Sequence, residues 1–245
     1  MIFKNSLFLI DYSIYTENGL VRRNNEDSAI AQCLSFITNN KIRQIFNAII
    51  CDGVGGMING EVASRLASVK FSEKFNDEIY RAKDEISLES IMKDSILYAN
   101  RAIRNINRGA KFREYMATTL TSLAIVDDKL AFVNSGDSEI FFIHEHIRSI
   151  TEIHREPISN YLTSCLGVDD LPEVHSGLLE LKAGDIMVMC SDGLSDMLDV
   201  HQIENIVIEE KLDSEEAVNE LVKQAMKEGG QDNITVLVCK IKNYQ

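Results

Sequence analysis

The stretch "SLAIVDDKLAFVNSGDSEIFFIHEHIRSIT", residues 122–151, decides the fold class. It holds short apolar runs that are joined by Asp-Asp and by Gly-Asp-Ser. Runs of this length, rich in β-branched and aromatic residues and bounded by turn residues, are typical of β-strands. Because a short turn can join two paired strands only in antiparallel fashion, the stretch predicts an antiparallel meander.

Helices are predicted on both sides of this meander. Apolar residues recur at helical spacing in residues 58–79 and 86–107, and a third helical stretch, residues 214–230, ends in two glycines. Helices that alternate with groups of antiparallel strands predict an α+β fold. The residues expected on the apolar helix faces include Val62, Leu66, Val69, Phe75, Ile91, Ile96, Leu97, Ile103 and Ile106.

Composition bounds the class of protein. The 245 residues contain no linker-like segment, so we expect one domain over residues 1–245. There are 25 Lys and Arg against 38 Asp and Glu, a net charge of −13. Such a charge disfavours binding to nucleic acid and to anionic membranes and suits basic partners.

The cysteines, the histidines and the N-terminus indicate neither a disulfide-rich, a zinc-binding, a membrane-spanning nor a secreted protein. The five widely spaced cysteines favour reduced thiols over a disulfide framework. His144 and His146 alternate along an expected strand and are interpreted as exposed residues, because no third zinc ligand accompanies them. No apolar run is long enough for a membrane span, and "MIFKNSLFLI" is a poor signal peptide. We therefore expect a cytoplasmic protein.

Five aspartates lie at the ends of predicted strands. One precedes "SAIAQCL", one follows "IFNAIIC", one follows "LAFVNSG", one follows "DIMVMCS" and one precedes "NITVLVC". Aspartate is also common in turns and at helix N-caps, which remains the alternative for each one alone. Strand ends of packed sheets share a rim, so these carboxylates can converge there. They are, in chain order, Asp27, Asp52, Asp137, Asp192 and Asp232, with Asp196 one helical turn after Asp192.

Converging carboxylates predict a cation site. A cluster of them does not stay ionised without cations, and oxygen ligands favour Mg²⁺ or Mn²⁺ over zinc. The glycine-rich "AIICDGVGG", residues 48–56, lacks the lysine of a P-loop, so Asp52 is interpreted as a metal ligand. Arg22 either balances charge in a surface turn or grips a phosphate beside the metals.

Seven motifs occur in the order found in one enzyme family. The chain resembles the PPM family of metal-dependent serine/threonine protein phosphatases, type 2C, in their bacterial form. The resemblance extends from about residue 10 to about residue 240. The motifs are "RRNNEDS" (22–28), "CDGVGG" (51–56), "ATTLTSLAI" (117–125), "NSGDSE" (134–139), "LTSCLG" (162–167), "GDIMVMCSDGLSDML" (184–198) and "GGQDNITVLV" (229–238).

This resemblance implies a fold and a reaction. The fold is a four-layer α-β-β-α sandwich of two antiparallel sheets flanked by helices. The reaction is hydrolysis of phosphoserine and phosphothreonine by the bridging hydroxide of a binuclear Mn²⁺ or Mg²⁺ centre, with two or three ions. The resemblance assigns Asp27, Asp52, Asp192, Asp232 and the Gly53 carbonyl to the two ions. It assigns Asp137 with Asp192 to a third ion, with Asp196 at a further acidic position near it, and Arg22 to the substrate phosphate.

Three departures from the family pattern stand out. Val54 replaces the histidine that many eukaryotic members use as a general acid, as is common in bacterial members. Glu139 replaces the arginine that usually follows Gly-Asp-Ser and adds negative charge near the rim. The segment between His154 and "LTSCLG" is only "REPISNY", whereas bacterial relatives carry a longer flap. A short flap predicts an open cleft, with low selectivity or with recognition by a partner.

The resemblance also implies partners. These are phosphorylated proteins, among them a serine/threonine kinase and its substrates, and the expected state is a monomer. Two alternatives remain: a pseudophosphatase or regulatory binding module of the same fold, and a structural cation-binding domain. Neither is favoured, because no core aspartate is missing and a structural site needs no arginine for phosphate.

Overall fold

The structure is a computed structural model that describes residues 8–38, 41–82, 87–159, 161–209 and 212–243. Ten strands form two five-stranded antiparallel sheets, in the orders β1-β10-β9-β6-β7 and β2-β3-β4-β5-β8. The strands are β1 Phe8–Glu17, β2 Ser28–Thr38, β3 Lys41–Cys51, β4 Leu120–Val126, β5 Lys129–Ser135, β6 Glu139–Ile143, β7 Ile147–Ser149, β8 His175–Glu180, β9 Ile186–Cys190 and β10 Ile234–Asn243. The helices are α1 Gly60–Arg81, α2 Leu88–Asn107, α3 Asp192–Ser195, α4 Val200–Val207 and α5 Ser214–Lys227.

The sheets and helices stack in four layers, which confirms the expected α+β sandwich. Strand β3 shows why: Ile45 and Ile49 face α1 and α2, whereas Phe46 and Ile50 face the other sheet. Alternate strand residues point to opposite faces, so a strand buried on both sides is apolar throughout. A third core lies between the other sheet and α3, α4 and α5.

The meander prediction is correct at its ends and wrong in its middle. β4 and β5 form a hairpin over Asp127 and Asp128, and β6 pairs with β7. β5, however, pairs with β8, and β6 pairs with β9 in the other sheet. Gly-Asp-Ser is therefore a crossover between the sheets and not a hairpin turn, and Gly136 has a φ of 125° there. Local turn chemistry does not distinguish these outcomes, because both need a sharp change of direction.

The helix predictions hold with small corrections. Phe75, Ile91, Ile96 and Ile103 are buried, and Val62, Leu66 and Leu97 are partly buried. Val69 and Ile106 are exposed instead. Val69 lies on the face of α1 opposite the buried Ala67 and Phe71, and Ile106 lies in the last turn of α2. The N-cap of α5 is Asp213, which precedes the serine at which the sequence pattern began.

The structure also shows where the cysteines and the two paired histidines lie. All five cysteines are free; Cys51, Cys190 and Cys239 are buried, whereas Cys33 is exposed. His144 and His146 are exposed as expected, but they lie in the turn between β6 and β7 and not within a strand. None of the helices within the described ranges has the length and apolarity to span a bilayer. Residues 1–7, which include most of the stretch tested as a signal peptide, lie outside the described residues.

Candidate metal centre

The strand-end aspartates meet at one rim of the sandwich. Antiparallel pairing sets this: the start of β2 lies opposite the end of β3, and the start of β10 lies opposite the end of β1. Asp27 and Asp52 flank the first pair, and Asp232 precedes β10. Asp137 follows β5 and Asp192 follows β9 at the same rim.

A cavity of about 380 Å³ opens at this rim. Residues from distant parts of the chain line it, so it is a product of the fold and not of one loop. Six of the lining residues are Arg22, Asp52, Gly53, Asp137, Asp192 and Asp232. Asp196 does not line it.

Asp27 lies just behind this lining. Its Oδ2 accepts hydrogen bonds from Ser191 Oγ at 2.9 Å and Thr235 Oγ1 at 2.5 Å, while its buried Oδ1 has no partner. Burial raises the pKa of Asp27 to about 7, against the opposing effect of those two hydroxyl donors. The carboxyl is thus oriented, and one oxygen is available for a cation.

Burial also raises the pKa of Asp52 and of Asp192. Burial and then the charge of Asp27 raise the pKa of Asp52 well above its usual range. Burial, followed by the charges of Asp137 and Asp232, raises the pKa of Asp192 to about 7. Asp192 Oδ1 is buried and also lacks a partner. Buried carboxylates with unpartnered oxygens are costly unless a cation neutralises them.

The donor set fits a hard divalent cation. The unpartnered atoms of Asp27 and Asp192 are carboxylate oxygens, and Mg²⁺ and Mn²⁺ prefer oxygen ligands. No three Asp, Glu, His or Cys side chains close round a single point by themselves within the part of the chain that the structure describes. Backbone carbonyls and water would therefore complete the coordination, as is usual for Mg²⁺.

Gly53 offers such a carbonyl. Val54 N donates to Ala117 O at 3.0 Å and Thr119 N donates to Asp52 O at 2.8 Å, so Gly53 and Thr118 face each other without a ladder hydrogen bond of their own. This leaves the Gly53 carbonyl outside the ladder. A Cβ at position 53 would come within 2.6 Å of the Gly60 backbone at the start of α1, which explains the glycine.

The basic residue expected at the site is present but engaged. Arg22 Nη2 donates to Asp232 Oδ2 at 2.6 Å. This hydrogen bond is the main reason that the pKa of Arg22 is raised. Half of the Arg22 side chain is exposed, so it can still reach an anion in the cavity.

Arg155 is the residue that sequence reasoning missed. It donates to Asp196 Oδ1 and Oδ2 and lies 3.7 Å from Asp137 Oδ2 and 3.8 Å from Asp192 Oδ2. The guanidinium therefore joins the carboxylates that the resemblance implied for a third ion. A signal was available: Arg155 is the only cation in the shortened segment 155–161.

Polar residues next to the aspartates were also missed. Asn233 accepts from Glu26 N at 2.8 Å and donates to the carbonyls of Asn18 and Asn24, which fixes the loop before Asp27. Thr119 Oγ1 accepts from Asp52 N at 3.0 Å and positions the backbone of Asp52. Both lie within the quoted motifs, Asn233 in "GGQDNITVLV" and Thr119 in "ATTLTSLAI".

The three departures from the family pattern are located as follows. Val54 lines the cavity. Glu139 lies outside its lining, in β6 opposite Cys190, and burial raises the Glu139 pKa. The shortened segment still reaches the site, because Tyr161 and Leu162 line the cavity; Asn160 lies outside the described residues.

Comparison with known proteins agrees with this site. A serine/threonine phosphatase, stp, of Listeria monocytogenes serotype 4b is 28% identical over 92% of this chain and 93% of its own length. The crystal structure of the Mycobacterium tuberculosis serine/threonine phosphatase PstP/Ppp superposes with a TM-score of 0.80 at 26% identity, over 97% of this chain and 100% of that one. A structure of the PstP catalytic domain in complex with two manganese ions has a TM-score of 0.77 at 27% identity, over 96% and 100%.

The family pattern described as protein phosphatase 2C matches residues 25–238, which include every aspartate of the rim. The resemblance seen in the motifs is thereby confirmed. The chain belongs to the protein phosphatase 2C family of enzymes.

Proposed function

We propose that this chain hydrolyses phosphoserine and phosphothreonine on proteins, as a single phosphatase domain that uses Mn²⁺ or Mg²⁺. The observation that carries the proposal is the convergence of Asp27, Asp52, Asp192 and Asp232 from four separate strand ends, with buried oxygens of two of them unpartnered. The phosphatase names of the relatives and the manganese ions of one of them point the same way.

The four aspartates and the Gly53 carbonyl would hold two divalent ions. When bound, such ions lower the pKa of water to near neutrality and neutralise charge on the phosphoryl oxygens. Asp137, Asp192 and Asp196 would hold a third, weaker ion only in competition with Arg155, which already pairs with Asp196.

The chain's own residues bind and orient the phosphate. Arg22 presents a planar guanidinium that can donate two hydrogen bonds to phosphoryl oxygens. Its present acceptor, Asp232, is one of the proposed metal ligands, so a bound cation would compete with Arg22 for that carboxylate and release the guanidinium toward substrate. Val54 offers no proton, so the leaving oxygen takes its proton from water.

The proposed substrates are proteins phosphorylated by serine/threonine kinases, and the enzyme would oppose such a kinase. A pseudophosphatase remains the alternative, but no observation at the rim favours it. Glu139, which departs from the family pattern by adding negative charge near the rim, does not line the cavity.

Phosphate release from a phosphothreonine peptide tests the proposal. The purified protein should release phosphate with Mn²⁺ and lose that activity with a chelator, and Asp192→Ala should abolish it. Asp94→Ala removes an exposed acid from α2 and should behave as the unchanged protein. Absence of release at every Mn²⁺ concentration would rule the proposal out.

A further inference from the structure

A second cavity, of about 570 Å³, lies at the C-terminal end of α2. Arg101, Arg104 and Arg108 line one side, and the loop that holds Asp170 and Leu171 lines the other. The arginines lie at positions i, i+3 and i+7, so they share one face of the helix and its extension. We refer to this space as the arginine cavity.

Its charge is opposite to that of the whole protein. Residues 101–113 contain five cations and no acid, in a chain whose net charge is −13. Asp170 is the acidic residue of the lining, and it forms an ion pair with Arg104. No ion pair joins Arg101 or Arg108 to any residue in the described ranges, and both are exposed. Two guanidinium groups therefore remain for an external anion.

A cation at a helix C-terminus is favoured by the helix dipole, which is a sufficient reason for one such arginine. It does not explain the walls of the cavity, which two buried asparagines of α2 hold in place. Asn100 donates to the carbonyls of Asp169 and Asp170 and accepts from Gly167 N at 2.8 Å. Asn107 donates to Met116 O at 2.8 Å and Gly167 O at 2.9 Å. The cavity is thus a fixed feature of the fold.

Apolar surface accompanies the charge. Leu171, in the lining, has 78% of its surface exposed, and Phe112, which packs against Tyr115, has 60% exposed. Basic and exposed apolar side chains together suit a polypeptide ligand, because a small inorganic anion would leave the apolar groups unused.

The arginine cavity and the proposed metal centre are linked by one short segment of chain. Tyr115 lines the arginine cavity and Thr119 lines the carboxylate cavity, and four residues of chain span at most about 14 Å. The same segment holds the Asp52 loop, since Ile58 N donates to Tyr115 O and Val54 N donates to Ala117 O. Tyr115 and Thr119 therefore lie no more than about 14 Å apart, a distance that four or five residues of an extended polypeptide can span.

We propose that the arginine cavity binds an acidic segment of the protein substrate, a few residues from the phosphorylated serine or threonine. Arg101 and Arg108 pair with its carboxylates, and Leu171 and Phe112 contact its apolar side chains. This rests on the proposed phosphatase function and names its substrate class. It reverses, at this face, the preference for basic targets that the net charge alone would predict.

Two matched phosphothreonine peptides test the proposal. One carries three glutamates at four to six residues from the phosphothreonine, and the other carries glutamines there. The unchanged protein should show a KM at least fivefold lower for the glutamate peptide. Arg101→Ala/Arg108→Ala should remove that preference and leave kcat and the hydrolysis of p-nitrophenyl phosphate unchanged. Arg81→Ala is the control and should keep the preference. Arg81 is an exposed arginine at the C-terminal end of α1, the end opposite Gly60.

Equal KM values for the two peptides, or a preference that survives the double substitution, would overturn the proposal. A binding measurement separates it from failure of the proposed function. The unphosphorylated glutamate peptide, labelled for fluorescence anisotropy, should bind the unchanged protein and bind at least fivefold more weakly to the double variant. If no phosphopeptide is hydrolysed, this binding still decides whether the acidic-segment site exists. Phosphatidylserine vesicles provide a further check. If they bind the unchanged protein more tightly than the peptide does, and this binding depends on Arg101 and Arg108, the proposal is also overturned.

Discussion

Arg155 donates to both carboxylate oxygens of Asp196, at 2.9 and 3.1 Å. The same guanidinium lies within 4 Å of Asp137 and Asp192. It thus places a fixed positive charge among three carboxylates at the edge of the cavity. Hydrogen bonding to Asp196 is the main reason that the pKa of Arg155 is raised, so the group stays charged. A divalent ion at this edge would have to displace it.

We expect Arg155→Ala to bind one Mn²⁺ more than the unchanged protein, or to bind a third ion at least about tenfold more tightly. The reason is that removal of one cation leaves Asp137, Asp192 and Asp196 with uncompensated charge. A tenfold change corresponds to about 1.4 kcal/mol, which is modest for charges at this separation. Isothermal titration calorimetry of the metal-free protein with Mn²⁺ measures both the number of ions and their affinities.

Arg155→Lys is the matched control for that measurement. Lysine keeps the charge but cannot donate from a planar fork to both oxygens of Asp196, so an intermediate affinity is expected. Identical titrations for the unchanged protein and the alanine variant would show that Arg155 does not occupy a cation site.

The close contact of Gly53 with Gly60 gives a second prediction. Gly53→Ala should lower the free energy of unfolding by about 1–3 kcal/mol, because the new Cβ would press on the Gly60 backbone at 2.6 Å. Gly55→Ala, two residues away, should change it by less than about 0.5 kcal/mol, since nothing lies within 4 Å of its Cβ. Urea unfolding of both variants makes the comparison, and equal losses would contradict the explanation given for Gly53.

The sequence predicted the fold class because its strands and helices are locally consistent. Apolar runs such as "QIFNAIIC" and the helical spacing of Ile91 and Ile96 need no long-range information. The crossover at Gly-Asp-Ser did, because the same three residues can close a hairpin or pass between sheets. Which one occurs depends on the pairing of β5 with β8, a strand that starts 40 residues after the last residue of β5.

The aspartates of the site were predictable for a similar reason, since each marks the end of its own strand. Arg155 was not predictable, because its ion pairs form only when the fold brings Asp137, Asp192 and Asp196 close to it. The arginine cavity was missed as well. Net charge averages over the surface, and the two buried asparagines that shape the cavity carry no sequence signal for it.

Arg22 provides a third prediction. Arg22→Ala should raise KM for a phosphothreonine peptide about tenfold or more, with a smaller effect on kcat, because the guanidinium is expected to bind phosphate and not to take part in bond breaking. Arg22→Lys should give an intermediate KM, since it retains charge without the bidentate geometry. Steady-state kinetics at saturating Mn²⁺ measure both constants, and an unchanged KM in the alanine variant would exclude this role.

The raised pKa of Asp27 makes the stability of the metal-free protein depend on pH. The folded-state pKa is about 7, whereas an unfolded aspartate titrates near 3.8. Between these values the folded state holds a proton that the unfolded state has lost, so stability falls as pH rises from about 4 to about 7. Each unit of pKa difference is worth about 1.4 kcal/mol, which makes the total loss on the order of a few kcal/mol.

Asp27→Asn should therefore lose less stability than the unchanged protein when the pH of a chelator-containing buffer rises from about 4 to about 7. The amide cannot ionise, so the burial of charge at position 27 no longer opposes folding. With saturating Mn²⁺ at pH 7, the unchanged protein should instead have the higher free energy of unfolding of the two, because a cation stabilises the ionised carboxylate and binds the folded state alone. Urea unfolding of both proteins at the two pH values, with and without Mn²⁺, measures the effect. Parallel pH profiles in chelator would show that Asp27 is already ionised in the metal-free fold.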